Sequence, residues 1–103
     1  MKQKTTLSVT LATYNEEANL TSCLSAVKDI ADEIIVVDGE STDKTREIAK
    51  EFGTKVIITS NKPVFHINKQ MANDKAHGDW ILQLDADEVV TKELKVEIVK
   101  LLA

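Results

Sequence analysis

At 103 residues the chain has room for one domain with a single modest core. It is 43% hydrophobic and 29% charged, and a net charge of −4 with no basic run argues against nucleic acid as the main partner. No apolar run approaches the roughly 20 residues a membrane-spanning helix needs, and the single cysteine, Cys23, cannot form an intrachain disulfide, so a reducing, cytoplasmic compartment is the simpler expectation.

Met1-Lys2-Gln3-Lys4 reads as a lead into a strand, not as a signal peptide. Leu7 to Ala12 is β-branched and apolar and predicts the first strand, followed by the polar turn Thr13-Tyr14-Asn15-Glu16-Glu17. Ala18 to Lys28 predicts a helix, with Leu20, Cys23, Leu24 and Val27 as its buried stripe. Cys23 lies within that stripe and reads as a core residue, not a nucleophile. Glu33 to Val37 is apolar at successive positions, as in a strand covered on both faces, and runs out at Asp38-Gly39. Ser41 or Thr42 then caps a helix from about Asp43 to Phe52, which Gly53 terminates.

Lys55 to Thr59 predicts the third strand, and Ser60 to Phe65 a loop around the only proline, Pro63. His66 to His77 reads as a helix with Ile67 and Met71 on its apolar side, ended by Gly78 as Gly53 ends the previous one. Trp80 to Leu84 reads as a buried strand that runs straight into Asp85-Ala86-Asp87-Glu88. Thr91 to Leu102 predicts a last helix with Leu94, Ile98 and Leu101 facing inward.

Four strands alternating with four helices imply an α/β, Rossmann-like parallel sheet built from right-handed crossovers. With the first strand inside the sheet, the expected order is 3-2-1-4, helices covering both faces. The reversal between strands one and four opens a crevice at their carboxyl ends, where such sheets bind ligands. Thr13 to Glu16, Asp38, Asp85 and Asp87 all fall on that edge.

Carboxylates at i and i+2 can reach one divalent cation or its waters, and hard oxygen ligands suit Mg²⁺ or Mn²⁺. Acids before a helix also simply favour its positive N-terminus, and Thr91 opens a helix just downstream. The three glycines form neither Gly-x-Gly-x-x-Gly nor a Walker sequence, so a nucleotide here would be held by side chains and a metal.

Three segments, in this order, carry a family resemblance: Thr13-Tyr14-Asn15-Glu16, Val36-Val37-Asp38-Gly39-Glu40-Ser41-Thr42-Asp43-Lys44-Thr45, and Gly78-Asp79-Trp80 leading into Leu84-Asp85-Ala86-Asp87-Glu88. From Leu7 to about Glu88 the chain resembles the inverting family 2 glycosyltransferases of the GT-A fold. The branch it looks most like includes bacterial lipopolysaccharide-core glucosyltransferases.

The resemblance implies a nucleotide-diphosphate sugar as donor, a UDP-sugar favoured, and a saccharide or lipid-linked acceptor. It implies that Thr13, Tyr14 and Glu16 line the base and ribose pocket, that Asp38 hydrogen-bonds the base, and that Lys69 faces the donor. Asp85 would lie near the ribose and the metal's shell, and Asp87 would ligate the Mn²⁺ or Mg²⁺ bridging the diphosphate. Ser41, Thr42 and Asp43 read as helix-capping residues, and His66 and His77 as non-catalytic. Asn68 and Gln70 read equally as donor contacts or as a solvated face.

In the family the general base that deprotonates the acceptor lies beyond the Asp-x-Asp motif, in an acceptor-binding half. Residues 1–103 would then be a single donor-binding domain, truncated relative to the family and membrane-associated in its full-length context. No catalytic base is assigned, although Glu88 is a nearby carboxylate. The alternative is a non-catalytic nucleotide-sugar-binding module of the same fold. A response-regulator receiver needs paired acids after its first strand, and a haloacid-dehalogenase-like phosphatase needs its Asp-x-Asp there; this chain has Thr13-Tyr14-Asn15. An under-covered fourth strand further predicts self-association, most simply as a twofold homodimer.

Overall fold

A computed structural model describes residues 5–60 and 65–103. Met1-Lys2-Gln3-Lys4 and positions 61–64 of the expected loop, Pro63 included, lie outside the described residues. The elements alternate as β1 (Leu7–Thr13), α1 (Leu20–Val27), β2 (Glu33–Asp38), α2 (Thr45–Glu51), β3 (Lys55–Ile58), α3 (Phe65–Asp74), β4 (Trp80–Asp85) and α4 (Lys92–Leu102). The strands form one parallel sheet in the order β3-β2-β1-β4. No helix among the described residues is long and apolar enough to cross a membrane.

β1 is buried along its whole length and anchors the sheet. Strand alternation sends Leu7, Val9 and Leu11 to one face, where they meet Leu20, Leu24 and Val27 of α1, Ala49 of α2 and Leu102 of α4. Burial of these side chains against one another is the main source of stability. α3 covers the other face, where a smaller cluster joins Ile35 and Val37 to Ala72 and Met71. β1 presents Ser8 and Thr10 there, and Thr10 Oγ1 donates to Asn73 Oδ1 at 2.7 Å.

That polar sheet face corrects the expected orientation of α3. Asn68 and Ala72 are its fully buried residues, while Ile67 is 43% exposed. A sheet surface carrying hydroxyls selects small and polar partners; Met71 still packs against Ile35 and Val37, while Ile67 is turned toward the rim. β4 also departs from a buried strand: Trp80 is 55% exposed and Ile81 is exposed, because among the described residues nothing pairs with its outer edge. In α4 the buried residue is Leu102 and Ile98 is partly buried, whereas Leu94 is exposed and Leu101 is 71% exposed. Thr91 does cap that helix, its Oγ1 accepting from Leu94 N at 3.1 Å.

α2 begins at Thr45 with Lys44 at its N-cap, two or three residues after the expected caps Thr42 and Ser41. Asp43 Oδ1 accepts from Thr45 N at 2.9 Å instead. Gly53 closes α2 with φ of +73°, where a side chain would be strained. Gly78 is not a helix terminator, since α3 has already ended at Asp74. Its N–H donates to Ser8 Oγ at 2.8 Å, and a Cβ at this position would stand 2.7 Å from Ser8 N. The chain therefore enters β4 in contact with the β1 backbone, a passage that excludes any side chain.

At the amino ends of the strands Glu33 gathers the donors Ser8 Oγ, His77 N and Lys55 Nζ. Burial alone would raise its pKa; the hydrogen bonds from Ser8, His77 and Lys55 outweigh it and hold the carboxyl at about 2. A folded-state pKa below the unfolded value contributes stability that is complete above about pH 4.5 and lost as pH falls toward 2. Glu33→Gln is expected to destabilise the protein by about 1–3 kcal/mol at pH 7 and to flatten the melting temperature between pH 5 and 2. Thermal melts across that range check both effects, and an unchanged acid limb would contradict them. Gly78→Ala should cost about 1–3 kcal/mol, because the obstructing atom is backbone and cannot rotate away; denaturant unfolding measures it.

Candidate functional site

The register sets three strand ends flush. Thr13 of β1 lies opposite Asp38 of β2, and Ala12 lies opposite Asp85 of β4. Polar groups at the ends of apolar runs are thereby brought to one edge of the sheet.

Beneath that edge, Asp38 is fully buried. Its Oδ1 accepts from Thr13 Oγ1 at 2.8 Å and from Ser41 Oγ, and its Oδ2 accepts from Ser41 N at 2.8 Å, with Arg46 Nε 3.8 Å away. Above it the loop after β1 is laced to the loop after β2. Asn15 N donates to Ser41 Oγ at 2.9 Å, Asn15 Oδ1 accepts from Thr42 N at 2.8 Å, and Glu16 N donates to Thr45 Oγ1 at 2.8 Å. Ser41 and Thr42 thus join two loops and do not cap α2. Asp43 takes part through Thr45 and Glu17 N; burial works against its ionisation, but the Thr45 and Glu17 donors hold its carboxyl below the usual range.

The acids after β4 sit on a tight turn. Glu88 N donates to Asp85 O at 2.9 Å, and Asp85 N donates to Glu88 Oε1 at 2.7 Å. Cys23 Sγ lies 3.7 Å from the same Asp85 carbonyl, and Ala86 is buried as the pin of the turn. Glu88 is therefore committed to holding the turn. Burial, followed by the charges of Glu88, Asp87, Asp85 and Glu16, pushes the Cys23 thiol up to about 11, so it stays a neutral donor.

Asp85 and Asp87 project into solvent from this turn. Lys69 reaches across from α3, its Nζ 2.8 Å from Asp85 Oδ1. Glu16, Lys69, Asp85 and Asp87, with Ala12 and Ala86, line an open cavity of about 280 Å³. Four of the expected residues are thus brought together. Thr13 and Asp38 lie buried at the ends of the neighbouring strands and do not line the cavity, while Tyr14 is half-buried on the adjoining loop. Gln70 faces away, its Nε2 donating to Asp74 Oδ1 at 2.8 Å, and Asn68 is buried in the α3–sheet contact. His77 sits at the opposite end of the sheet beside Glu33. Sequence reasoning missed Ala12 and Ala86, whose small side chains leave the cavity open, and missed Glu88 and Cys23 as braces. The spacing of three between Asp85 and Glu88, the same as in a helix capping box, was a signal for the first of these.

Among the described residues no three His, Cys, Asp or Glu side chains converge on one point. A divalent cation here would draw on Asp87 and Asp85 and take its remaining ligands from water and from the oxygens of its ligand. That is how Mg²⁺ and Mn²⁺ are commonly held with phosphates, and the oxygen donor set fits them.

The family model for Glycosyl transferase family 2 matches residues 8–103. An uncharacterized glycosyltransferase of Rickettsia bellii is 46% identical over 94 residues, covering 89% of this chain and 31% of its own length. Among solved structures, S. aureus TarS 1-349 in complex with UDP is 28% identical with a TM-score of 0.81, covering 92% of this chain and 31% of that one. The glucosyl-3-phosphoglycerate synthase of Mycobacterium tuberculosis, solved with Mn²⁺, UDP and glucosyl-3-phosphoglycerate, is 27% identical with a TM-score of 0.67, covering 96% of this chain and 40% of that one. This chain therefore spans about a third of the length of such relatives. With a sheet of order β3-β2-β1-β4 and polar groups gathered at its carboxyl edge, the chain belongs to glycosyl transferase family 2.

Proposed function

We propose that the chain is the donor-binding domain of an inverting glycosyltransferase, taking a nucleoside-diphosphate sugar, UDP-sugar favoured, through Mn²⁺ or Mg²⁺. The observation that carries this reading is the meeting of Glu16, Lys69, Asp85 and Asp87 on one cavity at the carboxyl ends of β1 and β4. The UDP in TarS, and the UDP with Mn²⁺ in the mycobacterial synthase, support it.

Within this reading Asp87 and Asp85 hold the cation, and Lys69 stands ready for an anionic phosphate. When bound, the cation would offset the negative charge that builds on the departing diphosphate as an acceptor hydroxyl displaces it from the sugar. Thr13, Tyr14, Glu16 and Asp38 form the base and ribose side. Asp38 Oδ2 accepts one hydrogen bond from Ser41 and faces Arg46, so its contact with a ring N–H in this proposal requires the base to enter beneath the edge where the carboxylate is now fully buried. The carboxylate of Glu88 is engaged by the Asp85 N–H and is not poised to deprotonate an acceptor. In this proposal neither the general base nor the site for a saccharide or lipid-linked acceptor is assigned to residues 1–103. A cytoplasmic setting is part of this proposal and accords with the free, buried thiol of Cys23.

The metal role has a direct test. Asp87→Asn keeps size and removes an anionic ligand, and it should weaken Mn²⁺-dependent UDP binding about tenfold or more, roughly 1.4 kcal/mol. Its melting temperature should hardly move, since the exposed carboxylate has no basic partner among the described residues. Calorimetric titration with UDP, with Mn²⁺ and in chelator, reads the first effect; equal affinities in variant and wild type would remove Asp87 from the metal site.

The same proposal extends to a twofold homodimer through the outer edge of β4, where Trp80 and Ile81 are exposed beside Leu101 of α4. Light scattering over a concentration series should show the dimer; a monomer at the highest concentration would exclude it.

A further inference from the structure

Lys69 is the sole cation among the described residues that line the acidic cavity, where it faces Glu16, Asp85 and Asp87. It does not stand midway between the acids. Its ammonium is committed to Asp85 Oδ1 at 2.8 Å, while no basic side chain among the described residues pairs with Asp87. The Asp85 backbone is separately fixed by Glu88, so the carboxylate cannot leave the lysine by moving the turn. Both side chains reach solvent, Lys69 at 30% and Asp85 at 55% exposed, but it is Lys69, a point charge on a flexible four-carbon stem, that has the reach to change partner.

Of the two carboxylates placed to hold a divalent ion, one arriving alone therefore finds Asp87 available and Asp85 occupied, with a repelling ammonium close by. A diphosphate changes each of these. Its oxygens give Lys69 a new anionic partner, Asp85 is released to the cation or its waters, and the cation gains phosphate ligands. We infer that Lys69 couples the two binding events: in the empty protein it occupies Asp85 in place of the metal's charge, and on loading it transfers to the diphosphate. The inference deepens the proposed function and rests on that reading of the cavity. It assigns to Lys69 two opposed effects, competitor of the bare cation and ligand of the nucleotide. Thermodynamic reciprocity then requires UDP to tighten Mn²⁺ by the same factor as Mn²⁺ tightens UDP.

The test is a titration of Mn²⁺, followed by electron paramagnetic resonance of the free ion, with and without saturating UDP. Three variants accompany the wild type: Lys69→Gln, Lys69→Arg, and Lys75→Gln as a charge control six residues further along the chain. Lys69→Gln should bind Mn²⁺ alone about threefold or more tighter than wild type, since an exposed ion pair and its repulsion are worth a fraction of a tenfold step. The same variant should bind Mn²⁺ with UDP more weakly than wild type, so the factor linking the two ligands collapses. Lys69→Arg should restore weak binding of the bare ion, and Lys75→Gln should match wild type in both arms. Unchanged, weaker or undetectable binding of Mn²⁺ alone by Lys69→Gln overturns the inference, as does a linkage factor that survives the substitution. Failure of wild type to bind UDP at any Mn²⁺ concentration would instead overturn the proposed function, which the bare-ion arm does not use.

Discussion

The buried carboxylate of Asp38 is the joint on which this edge of the molecule depends. A lone ionised carboxylate in the core is strongly disfavoured, and it persists only where hydrogen bonds replace its water. Thr13 and Ser41 supply them, one from the end of β1 and one from the loop after β2. Meeting that single electrostatic demand aligns the two strand ends and brings two loops within lacing distance. Asn15, whose φ of 51° places it in the left-handed region, can then reach Thr42, and Asn tolerates that region better than most residues. The loops that flank the cavity are therefore rigid through side chains and short backbone contacts, not through a core of their own.

The acidic turn follows a different logic. Asp85 and Asp87 are held close together although, among the described residues, the ion pair with Lys69 is the one contact that offsets their charge. Their charges are felt as deep as Cys23, where they reinforce burial in keeping the thiol protonated. The turn is braced instead by contacts that leave both carboxylates out of the accounting: Glu88 to the Asp85 amide, Cys23 near the Asp85 carbonyl, and Ala86 packed inward. Bracing the backbone while leaving the two carboxylates under-neutralised is the arrangement expected where the compensating charge is to come from a ligand.

The sheet order and the edge that gathers the polar residues were legible in the amino-acid sequence, because an apolar run that ends abruptly in Asp or Thr reports both a strand and its end. Asp85 and Asp87 as candidate cation ligands, and Glu16 on the same edge, were legible from that pattern, whereas Lys69 became a candidate only with the family resemblance added. The face of α3 was not. Helical periodicity marks Ile67 and Met71 as apolar, and Met71 does pack on Ile35 and Val37; but the same surface carries Ser8 and Thr10, Asn68 is buried and Ile67 exposed, and periodicity carries no information about a partner's polarity. Gly78 was misread for a related reason. Gly53 is needed for its own backbone angle, a local property, whereas Gly78 is needed because the β1 backbone passes 2.7 Å from where its Cβ would be, a contact between positions 70 residues apart. The exposure of Trp80 likewise depends on which strand lies at the sheet's edge, and no composition within β4 distinguishes an edge strand from a covered one.

Cys23 has a practical consequence outside the site's chemistry. It is the chain's single cysteine, it has no exposed surface, and its thiol is pushed up to about 11. The reactive species toward maleimides, iodoacetamides and disulfide exchange is the thiolate, which is scarce and shielded here near neutral pH. To thiol-directed reagents the folded chain is thus effectively cysteine-free. A cysteine introduced at any exposed position becomes its unique attachment point for a spin label or a fluorophore, with no need to disturb the native residue that braces the acidic turn.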